Sequence, residues 1–393
     1  MFGSIYVGLS GLTAYSRGLQ QVSNNVSNLN SSGFKSATVS FTDIVAHDGR
    51  GGLAYTGGHG GDYGNGVSIG EARTDFRPGD LRQTERDLDL AVDGSGFMML
   101  MRGEELFYTR TGSFEVDPQG FIVLAGTQYR LATLDASGRP VSLSIDPLRT
   151  SAPAMTSTVT FADNLSSEAT TLSVSGIKVY DANGGQHVWQ ARFARSATAL
   201  NEWTVTVTDD KAREIGTATV RFVDGKVEAA TAKPVFADAG NGLSVTFDLS
   251  SNVTSFSSGT VSTLRAAVVD GHGSGAATTI AVNEKGRLEI SYSNEEKVDL
   301  GAVAIADFRD PTALEQRGGG LFVQTGQSAR ELMTSEDQRV GRVLSRRLEA
   351  SNVDLARQFG DLILIQRGFQ ASSQIISVTN DMIQQLFGIR GQG

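Results

Sequence analysis

The sequence predicts a mixed fold, predominantly β with terminal α-helices: N- and C-terminal coiled-coil helices plus two stacked antiparallel β-domains, the outer one inserted in the inner. Three observations predict it. Both ends of the chain carry a seven-residue apolar rhythm that the middle lacks. The middle alternates apolar and polar residues with a period of two, broken by Asn-Gly and Asp-Gly turns. The texture of that β-rich middle changes near residue 149, becoming richer in Thr, Ser, Ala and Val, and changes back near 286. The expected organisation is an N-terminal helix over 1–33, a Gly-rich extended connector over 34–75, an inner β-domain from 76–148 and 287–350, an inserted outer β-domain over 149–286, and a C-terminal helix within 351–393.

At the N-terminus Ile5, Leu12, Leu19 and Val26 recur every seven positions, with Tyr15, Val22 and Leu29 three residues after the last three. A seam this narrow needs a partner helix to bury it. The spacing predicts a helix from Ser4 to the residue before Gly33, with Gly33 as a left-handed cap. Gly8, Gly11 and Gly18 lie inside it, and each costs about 1 kcal/mol relative to alanine. The isolated helix is therefore weak, and it is expected to order only on assembly. Ser4, Gly11 and Gly18 also recur every seven positions beside the seam, which lets another backbone approach closely.

Residues 34–75 are Gly-rich and weakly periodic, above all from Asp48 to Gly66, and read as a connection with a short hairpin or two. From Phe76 the period becomes two. Leu88, Leu90 and Val92 alternate with polar residues, and Asp117-Pro118-Gln119-Gly120 turns one strand into the next. In the insert, 174–180, 189–193, 203–207 and 245–249 alternate, while Asn183-Gly184, Asp224-Gly225 and Asn241-Gly242 mark hairpins. Strand-like segments 288–292 and 321–325 are expected to return to the first β-domain.

The C-terminal helix opens on a capping signal, Ser351 or Asn352 with Asp354 following, and Gly388 is its expected stop. Leu348, Leu355, Leu362, Phe369, Ile376 and Ile383 repeat the heptad. The polar faces of both helices carry Asn, Gln, Ser and Thr where a water-facing side usually carries charge pairs. Neutral amides are buried at much less cost than charges when hydrogen-bonded, so these faces are expected to meet protein or a confined aqueous channel.

Composition excludes several classes. With no cysteine among 393 residues, disulfides, thiolate metal sites and Cys nucleophiles are absent. Residues 1–42 carry Arg17 and Lys35 and no acid, and 339–393 carry seven arginines against four acids, so the net charge of −9 arises wholly in the middle. That distribution argues against nucleic-acid binding, which needs a concentrated basic face. No run of apolar residues is long enough to span a bilayer, and the N-terminus lacks a basic start and an h-region, so neither membrane insertion nor a cleaved signal is expected. The four histidines stand far apart, and no nucleophile elbow or P-loop is present. Asp181-Ala182-Asn183-Gly184 lacks the downstream glutamate of a calcium loop. No catalytic, cofactor or metal site is expected.

Two segments at opposite ends carry a resemblance. NNVSNLNSSGFKS at 24–36, and SNVDLARQF at 351–359 with QRGFQA at 366–371, resemble the terminal signatures of bacterial flagellar axial proteins. LDLAVDGSGFMML at 88–100 and FYTRTGSFEVDPQGFIV at 107–123 are similar to the β-domain shared by hook and distal-rod members. One departure is Ser372-Ser373, where the family pattern has a small residue followed by Asn.

The resemblance implies a structural polymer. Its assembly residues would be Ile5, Leu12, Tyr15, Leu19, Val22, Asn25, Val26, Leu29, Gly33, Phe34 and Lys35 at one end. At the other they would be Asn352, Val353, Leu355, Phe359, Leu362, Gln366, Arg367, Phe369, Gln370, Ile376 and Ile383. The large insert is what hook members add to the shorter rod members. It implies a curved hollow tube joining rod to filament, with hinges such as 48–66, exported without a cleaved signal by type III secretion. Implied partners are other copies of the chain, adjoining rod and hook–filament junction proteins, and a hook cap during assembly. A straight distal-rod subunit and a secreted β-domain adhesin are the alternatives.

Overall fold

The computed structural model describes residues 2–44, 66–135, 137–325, 329–337 and 339–390. The chain divides into two compact units, the first comprising Met1–Ile145, Ala281–Glu289 and Asp299–Gly393, the second Asp146–Ile280 and Ile290–Val298.

The first unit contains both terminal helices. Helix α1 spans Phe2–Ser27 and helix α2 spans Leu355–Arg390. α1 ends six residues before the predicted cap, because Asn28 folds its side chain back onto Asn24 and its N–H onto the carbonyls of Asn24 and Asn25. Such side chains compete with the helical ladder. Gly33 still supplies a left-handed turn, with φ at 70°. α2 starts later than predicted. Asp354 is the capping residue, its carboxylate accepting from the N–H groups of Ala356 and Arg357, whereas Asn352 is engaged elsewhere. The helix also runs through Gly388 to Arg390, so that glycine is no stop.

Among the described residues of the connector, Ala37–Thr38 pairs with Arg73–Thr74, and Phe41–Asp43 pairs with Val67–Ile69. The expected hinge at 48–66 lies outside the described residues except for Gly66. Beyond it stands a twelve-stranded sheet that includes Asp89–Asp93, Phe97–Arg102, Glu105–Thr109 and Thr111–Val116. Leu321–Gln324 returns to it as expected, pairing with Glu105–Thr109. Its core gathers Phe97, Met99, Tyr108, Phe308 and Phe322, with the Phe97 ring edge-on to Phe308 and Phe322 at 5.8 and 5.7 Å. The Asp117 turn forms as its chemistry dictates, the carboxylate accepting from Gln119 and Phe121 N–H.

The second unit is built on a nine-stranded, mostly antiparallel sheet. The alternation seen in sequence delivers Trp189, Phe193, Trp203, Val205, Val245 and Phe247 to one continuous, fully buried core. Its hairpins fall at the Asn183-Gly184, Asp224-Gly225 and Asn241-Gly242 turns, with φ of 83°, 77° and 66° at the glycines. Asp181, read as part of a weak calcium-loop pattern, instead accepts from the N–H of Asn183 and Gly185 and pairs with His187. Burial pushes the Asp238 carboxyl up, but bonds from Arg213, Asn241 and the Gly240 N–H together hold it below the usual range. One expectation fails: Arg287–Tyr292 joins a separate four-stranded sheet, not the sheet of the first β-domain. Period-two alternation reports that a strand is half-buried, not which sheet it joins.

Candidate assembly site: the paired terminal helices and their charged base

α1 and α2 lie antiparallel along one another. Gly11 faces Ser372, Tyr15 faces Gly368, Gly18 faces Ile365, and Asn25 faces Gln358. Each advance along α1 is matched by an equal retreat along α2. The buried stripe of α1 is Gly8, Gly11, Ala14, Gly18, Val22 and Asn25, and that of α2 is Gln358, Ile365, Ser372 and Thr379, one every seven residues. The pairing of the two helices is as predicted, but the seam is not. Ile5, Leu12, Leu19 and Val26 are only half-buried on the flank, as are Leu362, Ile376 and Ile383, while Leu355 and Phe369 are exposed.

Close approach explains the difference. A Cβ at Gly8 would sit 2.7 Å from Ile376 Cγ1, and one at Gly18 would sit 3.1 Å from Ile365 Cδ1. Backbones this near exclude large side chains from the seam and gain many dispersion contacts. Ser372, the small residue of the Ser372-Ser373 pair, is the side chain lodged against Gly11. The signal was present in the seven-residue recurrence of Gly11 and Gly18, which marked the seam more truly than the leucines did.

Polar groups in this seam are paired. The Asn25 amide donates to Gln358 Oε1 at 2.9 Å and to the Ala37 carbonyl at 2.8 Å, and its oxygen accepts from Ala37 N–H at 3.1 Å. Tyr15 packs on Phe41 with ring centroids 5.2 Å apart. Outside the seam, α2 presents a broad apolar surface. Leu364 is 68% exposed, Phe359 53% and Ile363 51%, and Ile375, Val378 and Met382 are exposed too. Tyr6 and Leu9 extend such a surface on α1. Gln366, Arg367 and Gln370 are exposed among them.

At the base of the helices the two signature segments meet. Lys35 Nζ lies 2.5 Å from Glu349 Oε1, and Arg110 Nε lies 2.9 Å from Glu349 Oε2, all three side chains being buried. Lys35 also donates to the Arg77 carbonyl at 2.8 Å, and Gly79 N–H donates to Glu349 Oε1 at 2.7 Å. Arg110 further donates to the carbonyls of Gly94 and Gly96. Burial pushes the Lys35 ammonium below its ordinary value; the Glu349 charge and hydrogen bond oppose that shift. The Glu349 backbone accepts from Gly33 N–H at 2.8 Å and donates to Thr111 Oγ1 at 3.0 Å. Asn352 accepts from Ser36 N–H and donates to the carbonyls of Asp75 and Arg77. Val353 is buried beside it, and Phe34 and Leu29 are half-buried.

Within the single chain, Gly33, Lys35 and Asn352, expected as assembly residues, make bonds that tie both helix ends to the sheet. Glu349 and Arg110 were missed. Their partners lie hundreds of residues away, and only the position of Glu349 just before the C-terminal signature hinted at a role.

Among the described residues no group of three or more His, Cys, Asp or Glu is placed to hold a metal ion, and no helix is long and apolar enough to cross a membrane. A pair of terminal helices fixed at its base, with an apolar outer face uncovered in the single chain, defines a class: a structural subunit with α-helical ends and a β-rich middle. A family model described as flagellar basal body protein FlaE D2 domain matches residues 133–334, over half the chain, and one described as flagellar basal body rod FlgEFG protein C-terminal matches 344–389. The chain belongs to the flagellar hook protein family.

Full-length relatives agree. The flagellar hook protein FlgE of Treponema pallidum is 27% identical over 99% of this chain and 100% of its own. That of Borreliella burgdorferi is 28% identical over 99% and 100%, and that of Salmonella typhimurium 28% over 97% and 98%. The crystal structure of Helicobacter pylori flagellar hook protein FlgE2 superposes with a TM-score of 0.51 at 13% identity, covering 68% of this chain and 99% of that one, a likeness of fold.

Proposed function

We propose that this chain is the structural subunit of a bacterial flagellar hook, polymerising helically into a hollow, curved tube outside the cell. The observation that carries the reading is the uncovered face of α2. Six large apolar side chains, Phe359, Ile363, Leu364, Ile375, Val378 and Met382, stand more than two-fifths exposed along one helix. An apolar surface of this kind marks a protein contact, and a chain with a heterologous contact that does not close a ring builds a helical fibre. The exposed amides and hydroxyls Gln20, Ser23, Gln374 and Gln384 suit a lumen through which unfolded copies pass without electrostatic trapping.

In this reading the tube flexes as a universal joint between rod and filament. The adjoining rod and junction proteins, a cap at the growing end, and a type III export apparatus that needs no cleaved signal are its partners. The role is mechanical, with no catalysis. Negative-stain electron microscopy of the purified, concentrated chain is expected to show curved tubes with a central channel. Straight tubes would favour a distal-rod subunit, and monomers under every condition would refute the reading.

A further inference from the structure

Two heptad stripes of α2 compete for the same partner. One is apolar: Leu355, Leu362, Phe369, Ile376 and Ile383. The other is mixed: Gln358, Ile365, Ser372 and Thr379. They lie three residues apart, about 60° around a helix. Burial of apolar area alone favours turning the first stripe onto α1, yet the mixed stripe is the one α1 covers.

We infer that Asn25–Gln358 and Tyr15–Gly368 together form an orientation lock that turns the mixed stripe of α2 inward and reserves the apolar surface for other copies. Only the last clause rests on the hook-subunit reading. Asn25 is 1% exposed and Gln358 3%. Asn25 is itself held by two bonds to Ala37 and one from Gln21, so its remaining donor points in a fixed direction. Rotating α2 by one stripe carries Gln358 away and puts a leucine against that buried donor, which loses its protein partner. Ten residues along α1, the Tyr15 ring occupies the space over Gly368, where a Cβ would lie 2.5 Å from Tyr15 Cζ. The rotation replaces that glycine with a side chain and closes the space. One buried polar pair that selects a helix alignment at some cost in stability is a known device of coiled coils, and a knob-and-hole pair ten residues away reinforces it.

The cysteine-free chain allows a direct test on the full-length soluble subunit. Built on the present backbone, a Cβ at Gly11 lies 3.2 Å from Ser372 Cβ, just short of the roughly 3.5–4.5 Å span of a disulfide, so the helices must part by a few tenths of an ångström to form one. The pair Gly11→Cys with Ser372→Cys therefore reports the observed orientation, and Gly11→Cys with Phe369→Cys the rotated one. In the parent, only the first pair is expected to cross-link under mild oxidation. In the double variant Asn25→Val with Gln358→Leu, the second pair is expected to cross-link at least about tenfold faster than in the parent, with fewer polymers formed. Gly368→Val acts on the other half of the lock, leaves the amides intact, and is expected to shift the cross-links the same way. Cross-linking confined to Gly11–Ser372 in both lock variants would overturn the inference. A parent that never polymerises counts against the hook reading instead, and leaves the cross-link result to decide the lock.

Discussion

Replacing Glu349 by alanine is expected to destabilise the first unit by about 3–5 kcal/mol, the cost of removing one partner from a buried ion cluster. The effect is large because the carboxylate serves two cations at once. Among the described residues, Lys35 then keeps the Arg77 carbonyl and the influence of the Asp75 charge, and Arg110 keeps backbone carbonyls, so both buried cations lose the carboxylate they touch. The substitution also removes the acceptor of Gly79 N–H, and it does so six residues before the start of α2, while the bond from Gly33 N–H to the Glu349 backbone carbonyl remains. Loss of helical signal at a lower urea midpoint, with the Trp189 and Trp203 fluorescence transition of the second unit unchanged, is the expected result. Equal midpoints in parent and variant would show that the cluster carries no net anchoring.

Deleting residues 2–30 is expected to abolish polymerisation. The deletion removes α1 while sparing Gly33 and Lys35, so the base of α2 keeps its ion cluster. It uncovers Ile365, Ser372 and Thr379 and leaves α2 without the partner that fixes its orientation. A lone helix of this kind draws most of its stability from packing, so α2 is expected to fray as well. Sedimentation of concentrated protein checks this: the parent pellets as fibres and the truncated chain stays in the supernatant. The second unit, whose core contains no residue from 2–30, is expected to melt as in the parent. Fibres from the truncated chain would contradict the assignment of assembly to the terminal helices.

The parts of this fold legible in the sequence were those governed by local period and turn chemistry. The heptads announced both helices, the alternation of Trp203, Val205 and Val207 announced a buried sheet face, and Asn183-Gly184 and Asn241-Gly242 placed hairpins. The seam was misread because apolar content was taken as the measure of burial. In a close-packed helix pair the measure is size, and Gly11, Gly18 and Ser372 win the interior while Leu355 and Phe369 remain exposed. The ion cluster was illegible for another reason. Lys35, Arg110 and Glu349 come together only after the sheet has formed, and no spacing rule links them. Asp354 shows the same limit on a small scale, since the sequence offered Ser351 or Asn352 as the cap, and tertiary bonds to Ser36, Asp75 and Arg77 engage Asn352 while Asp354 caps the helix.

The central claim is that other copies of the chain cover the outer apolar face of α2. Leu364→Cys tests it most directly, since that side chain is 68% exposed in the single chain and the background has no cysteine. A maleimide is expected to label the soluble subunit freely and the assembled fibre at least about tenfold more slowly, as for a side chain moved into a packed interface. Equal labelling rates in subunit and fibre would show that the fibre is built on some other surface.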